Sequence, residues 1–170
     1  DADPFAAPAE GVDDEVPAKF GASDVMDLNQ IQLLNALTCT ECGRCTSECP
    51  ANSTGKKLSP RKIMMDTRDR ADELGKAKDV NGADYHDGKS LHDYISQEEL
   101  LACTTCNACV EACPININPL EIIFGMRQYQ TLEKSNMPSE WAMMNSNIEN
   151  NQAPWQFSPS DRANWTNDII

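Results

Sequence analysis

The sequence predicts an all-α fold, and three observations carry that expectation. Capped or proline-led helix starts recur along the chain, at Ser23, Ser59-Pro60, Ser96-Gln97-Glu98-Glu99 and Asn118-Pro119. Strand signals are scarce: β-branched runs are short, and no alternating segment exceeds four residues. Finally, one arrangement occurs twice. A leucine-bearing helix runs into a group of cysteines, and a Ser-Pro or Asn-Pro helix start follows it.

Taken in order, residues 1–22 read as an acidic, Pro/Ala-rich linker. Asp1, Asp3, Glu10, Asp13, Asp14 and Glu15 alternate with alanines, Pro4 and Pro8, and no basic residue precedes Lys19. A chain that begins at Asp1 rather than methionine is expected to be a piece of a larger protein. Residues 23–150 read as the folded domain. Ser23 caps an expected helix with Asp24 and Asp27 in its first turn, and Val25, Leu28, Ile31, Leu34 and Leu37 form its stripe up to Cys39. Ser59-Pro60 opens a second helix, expected to end near Leu74 ahead of Gly75, with Ile63, Met64, Thr67, Ala71 and Leu74 on its apolar face. Residues 76–89 carry Asn81, Gly82, Gly88 and several aspartates, which predicts a loop anchored by Tyr85 or His86. The capping box at Ser96–Glu99 brings Leu100 and Leu101 to Cys103, and Asn118-Pro119 opens a helix through about Lys134, with Leu120, Ile123, Phe124, Arg127 and Leu132 on its face. Ser139 to about Glu149 makes a further helix with Trp141, Met144 and Ile148 on one side. Residues 151–170, with Trp155, Phe157 and Trp165, read as an extension packed on the domain or on a neighbour.

The chemistry lies in the cysteines. Cys39-x2-Cys42-x2-Cys45-x3-Cys49-Pro50 and Cys103-x2-Cys106-x2-Cys109-x3-Cys113-Pro114 use all eight of them. This spacing is the ligand run of a bacterial-type [4Fe–4S] cluster, and a doubled run implies two clusters. The fourth cysteine of each run ligates the other cluster in such proteins. The expected sets are therefore Cys39, Cys42, Cys45 and Cys113 for one cluster, and Cys103, Cys106, Cys109 and Cys49 for the other. Four disulfides are a poorer reading, because disulfide frameworks do not usually repeat one four-cysteine run and no signal peptide is visible. Zinc is the stronger competitor, but its sites usually separate two Cys-x2-Cys pairs by a longer span.

Charge narrows the partners. Fourteen basic against 27 acidic residues give a formal charge of −13, which disfavours nucleic acid and favours positively charged protein surfaces. No stretch approaches 18 consecutive apolar residues, so a membrane anchor, if there is one, is expected outside this chain. No Gly-x-Gly pair exists, so dinucleotide and P-loop fingerprints are missing, and His86 and His92 lack catalytic companions. No catalytic residue is expected; the chain by itself should not be an enzyme.

Thr40-Glu41-Cys42-Gly43-Arg44-Cys45 with Cys49-Pro50-Ala51, then Lys56 to Arg61, then Cys103 to Ile115 carry a resemblance. With a long insert between the runs, the chain resembles the alpha-helical ferredoxin module with two [4Fe–4S] clusters. It looks like the small iron–sulfur subunit of heterodisulfide reductases and is similar to the iron–sulfur subunits of anaerobic glycerol-3-phosphate and glycolate dehydrogenases. It also resembles bacterial membrane-anchored (Fe–S)-binding proteins. The CCG repeats and the plant-type cysteine run found in relatives of this module are missing here. The resemblance implies electron transfer within a larger, membrane-associated, respiratory-type oxidoreductase. Its redox partners would be a quinone- or haem-linked site and a catalytic domain, at the cytoplasmic face of the inner membrane. The alternatives are a freestanding soluble ferredoxin-like carrier, or a zinc-stabilised interaction module.

Around the clusters, Gly43 and Ala108 are expected to let backbone N–H groups approach sulfur. Pro50, Pro114, Ile115, Ile117, Leu37 and Leu101 are expected to exclude water. Arg44, in the first run, is expected to give the Cys39 cluster the higher potential. Lys56, Lys57, Arg61 and Lys62 form a basic island, read either as a solvated face or as a docking patch.

Overall fold

Caps decide where the helices of this chain begin. In the computed structural model, which describes residues 19–169, the Asn29 side chain accepts a hydrogen bond from the Gln32 N–H at 2.8 Å, and Gln32 Oε1 accepts from the Asn29 N–H at 2.9 Å. This reciprocal cap opens α1 (Gln30–Thr38). The expected helix from Ser23 is thus two elements, a 3-10 turn at Val25–Asp27 followed by α1. The break changes which side chains face inward. Val25, Leu28 and Ala36 are buried, whereas Ile31, Leu34 and Leu37 are 66%, 58% and 58% exposed. Residues 1–18 of the expected linker lie outside the described residues.

Two single turns, α2 (Arg44–Ser47) and α3 (Pro50–Ser53), follow within and after the first cysteine run. Ser59, extended, then accepts from the Lys62 N–H and starts α4 (Pro60–Asn81), with Pro60 where its missing N–H costs nothing. Gly75 does not end this helix, because it is not among the glycines with positive φ; the stop comes at Gly82, with φ +100°. The inward face is Ile63, Met64, Thr67, Arg70 and Leu74, with the expected Ala71 half-buried against the core; Arg70 is the buried position that the sequence did not signal.

The Ser96–Glu99 capping box opens α5 (Gln97–Ala102) as the sequence predicts. The turn α6 (Ala108–Glu111) lies in the second cysteine run, and α7 (Pro119–Gln128) follows, with Asn118 Oδ1 accepting from the Leu120 N–H at 3.0 Å. The helix expected to reach Lys134 instead widens to a π turn over Tyr129–Glu133. No strand occurs among the described residues.

The chain divides into two compact units, one ending at Tyr129 and the other beginning at Gln130. In the first, α4 packs against α1, α2 and α7, and α5 against α7. Leu58, Ile63, Leu91, Ile95, Leu100, Ile122 and Met126 are at most 1% exposed between them. Each contributes roughly 1.5–3 kcal/mol by leaving water. Gly21 makes a close approach that only glycine permits. Its φ is +70°, and a Cβ there would stand 2.3 Å from Gly125 O.

Arg70 anchors the loop after α4. Its guanidinium is 1% exposed and donates to both carboxylate oxygens of Asp24 (3.0 and 2.6 Å), to both of Asp87 (2.9 and 2.5 Å) and to Lys89 O (3.0 Å). The expected anchors were Tyr85 and His86; His86 is exposed, and Asp87 takes the role because it reaches a buried cation. In the second unit, α8 (Ser139–Asn151) is followed by a 3-10 segment at Pro159–Asp168. Asn147 is buried there and donates to Pro154 O, while Trp155, Phe157 and Trp165 are exposed.

Candidate metal centre

Both cysteine runs fold by one backbone rule. The residue before the second cysteine takes positive φ in each run (Glu41, 57°; Thr105, 58°), and so does the residue after it (Gly43, 81°; Asn107, 63°). These left-handed steps wind the loop so that thiols three residues apart face one cleft. Arginines from the long helices hold the two loops. Arg68 of α4 pairs with Glu41 at 2.6 Å, and Arg127 of α7 donates to Leu100 O and, at 2.6 Å, to Cys103 O. Spacing offered no signal for either contact.

Two clefts result. The first is lined by Cys39, Cys42, Cys45 and Cys113; the second by Cys103, Cys106, Cys109 and Cys49. Each cleft therefore takes three thiols from one run and the fourth from the other. Cys109 also reaches the first cleft, so it stands between the two. Cys49 and Cys109 are buried, whereas Cys42 and Cys106 are exposed.

The donor sets suit a polynuclear group. Burial pushes the Cys109 thiol up to about 11, with Cys103, Cys45 and Cys49 adding to the shift. Burial likewise raises Cys45, with Cys39 and Cys42 contributing. Thiols gathered this way resist ionising together unless a cationic core neutralises them. Thiolates on one zinc would lie within about 4 Å of one another, given Zn–S bonds near 2.3 Å. Among the described residues no group of three Cys, His, Asp or Glu side chains is arranged to hold a single metal ion. Iron–sulfur clusters fit these residues better than zinc.

The walls correct several expectations. Pro50, Pro114, Ile115 and Ile117 line the clefts as expected, and the Ile117 N–H donates to Cys113 Sγ at 3.3 Å. Leu37 and Leu101 line neither; Leu37 is turned outward because α1, capped by Asn29, is a separate helix from the turn that precedes it. Leu58 and Ile123 take that part in the second cleft, Met64 in the first. Gly43 lines the first cleft, but its counterpart in the second is Asn107, not Ala108. Arg44 borders a surface hollow with Glu48 and Glu111 instead of the first cleft, where the cation is Arg61. The basic island is half consumed: Lys57 pairs with Glu98 at 2.5 Å, and Lys62 with Asp66 at 2.7 Å and Glu99 at 3.0 Å.

Comparison with known proteins agrees with this geometry. The family described as a 4Fe-4S dicluster domain matches residues 38–117. The chain is similar to a probable iron-sulfur-binding oxidoreductase, FadF, of Bacillus subtilis, at 31% identity over 89% of this chain and 26% of that one. It is 33% identical to a probable membrane-anchored ferredoxin of Chromohalobacter salexigens (92% and 25% covered) and 29% identical to an EtfAB:quinone oxidoreductase of Syntrophomonas wolfei (86% and 23% covered). Heterodisulfide reductase subunits D and C of Methanosarcina species match as well. The chain spans about a quarter of the length of the first three relatives. Among the described residues no helix is long and apolar enough to cross a membrane.

Proposed function

We propose that this chain relays single electrons inside a larger oxidoreductase, a reading that starts from the match of residues 38–117 to the family described as a 4Fe-4S dicluster domain. Cys39, Cys42, Cys45 and Cys113 hold one cluster, and Cys103, Cys106, Cys109 and Cys49 hold the other. Each bound cluster takes up and returns one electron. The protein's own part is to fix the thiolates, to keep water from the buried side with Leu58, Met64, Ile117 and Ile123, and to leave two edges open. Those edges are at Cys42 and Cys106, the exposed thiols, where a redox partner can approach. The observation that carries this reading is the pair of cysteine-lined clefts, each built from both cysteine runs.

The names of the relatives support a finer placement. One is called a membrane-anchored ferredoxin and another a quinone oxidoreductase. We take the electron source or sink to be quinone- or haem-linked, with a catalytic domain at the other end and the chain at the cytoplasmic face of a membrane. Free thiols are kept reduced on that side.

Anaerobic purification tests the reading. The protein should be brown, absorb near 400 nm and carry about eight irons per chain. Ligand sharing has its own spectroscopic test. Cys49→Ser should perturb the same EPR signal as Cys103→Ser, and Cys113→Ser the same signal as Cys39→Ser. If Cys49→Ser pairs with Cys39→Ser instead, the crossed arrangement is wrong. A colourless protein with two zincs would remove the relay altogether.

A further inference from the structure

The two clefts have matching walls, position by position. Counted from the proline that opens each long helix, Pro60 corresponds to Pro119, Met64 to Ile123 and Leu58 to Ile117, the members of each pair lining opposite clefts. One pair breaks the match in charge. The residue after the proline is Arg61 in α4 and Leu120 in α7. Arg61 lines the cleft of Cys39, Cys42, Cys45 and Cys113; Leu120, 4% exposed, lines the other.

Arg61 is held beside the first cysteine loop. Its N–H donates to Thr46 Oγ1 at 3.3 Å, and Thr46 Oγ1 is in turn 2.8 Å from the Ser59 hydroxyl that caps α4. Its Nη1 stands 3.9 Å from where a Cβ on Gly43 would lie. Among the described residues its guanidinium has no ion pair or hydrogen bond, whereas its neighbours Lys57, Lys62 and Arg68 each have a carboxylate. No acidic side chain lines either cleft. The charge of Arg61, an exposed residue, therefore borders the first cleft with no carboxylate at ion-pairing distance among the described residues.

We propose that Arg61 makes the two centres unequal, so that an electron shared between them rests on the one held by Cys39, Cys42, Cys45 and Cys113. This rests on the relay reading above. A four-thiolate cluster goes from about −2 to about −3 on gaining an electron, and a cation at its edge favours the more negative form. The exchange balances within the chain, one centre being oxidised as the other is reduced. Leu120 offers its own centre no such help. Arg61 acts here as a positioning charge, not as a ligand.

The test is an anaerobic redox titration of the full chain followed by EPR, with the centres distinguished by the signals that Cys39→Ser and Cys103→Ser perturb. Arg61→Gln should lower the midpoint of the Cys39 centre alone. The preference for that centre should fall roughly five- to tenfold, the size expected for one partly screened unit charge. Arg61→Lys, which keeps the charge, should restore most of it. Independently of any variant, rising salt should narrow the gap between the two midpoints of the parent protein. Midpoints that ignore both Arg61→Gln and salt, or a shift confined to the Cys103 centre, would overturn the inference while leaving the relay standing. A parent chain without iron would overturn the relay itself.

Discussion

Asp87 shows how one carboxylate can close a loop. The Arg70 guanidinium, against the opposing effect of burial and with help from the Lys89 N–H, holds its carboxyl well below the ordinary 3.8. A group depressed in the folded state stabilises the fold fully above its unfolded value, and that stability is lost as pH falls through the folded value. Acid should therefore begin to release the loop as pH falls below about 4, and Asp87→Asn should flatten the pH dependence of stability from there downward. At neutral pH the same substitution leaves the buried Arg70 with Asp24 alone. The anaerobic melting temperature should then drop by roughly 3–8 °C. Measuring parent and variant side by side cancels any acid loss of clusters common to both. Equal melting temperatures at pH 7 would show that Asp24 suffices. No spacing rule announces this triad, since Asp24 and Asp87 lie 46 and 17 residues from Arg70.

At the scale of elements, α1 separates what the sequence made legible from what it hid. Val25, Leu28, Ile31, Leu34 and Leu37 recur every three residues, which looks like one face. Three residues turn an α-helix by about 300°, so such a stripe drifts by about 60° at each step and cannot stay on one side. The better signal was Asn29 with Gln32, the two ends of a capping box. Where caps were explicit, as at Ser59, Ser96 and Asn118, the helix starts were readable residue by residue. Helix ends were harder, because Gly75 is read through without taking positive φ and the π turn after Gln128 has no residue that announces it. Since Leu34 and Leu37 are exposed, changing either to Gln should leave the anaerobic melting temperature and the visible absorbance unchanged, a surface effect within about 0.5 kcal/mol. A bleached spectrum in Leu37→Gln would restore the expectation that this side chain shields a cluster.

Over the whole molecule, cysteine spacing made a pair of four-cysteine runs, and with them two clusters, legible from the start; the crossed pairing of the runs is the proposal made above. The charge asymmetry was not legible. Arg44 is adjacent to a ligand in sequence, yet Arg61, sixteen residues beyond Cys45, is the one that faces the first cleft. Each cleft being walled by both runs also has a meaning for the life of the chain before it is finished. A ribosome that has made Cys39, Cys42 and Cys45 must continue to Cys113 before the first cleft has its fourth thiol, and on to Ile123 before the second has its wall. At typical synthesis rates that interval is roughly 3–15 s. Ribosome-bound chains stalled before Cys113 should thus carry no stable iron, whereas released chains should fill; iron on the stalled chains would contradict this. On the crossed arrangement proposed above, cofactor delivery belongs to the completed domain, and until Cys113 is made the growing chain carries up to seven bare thiols.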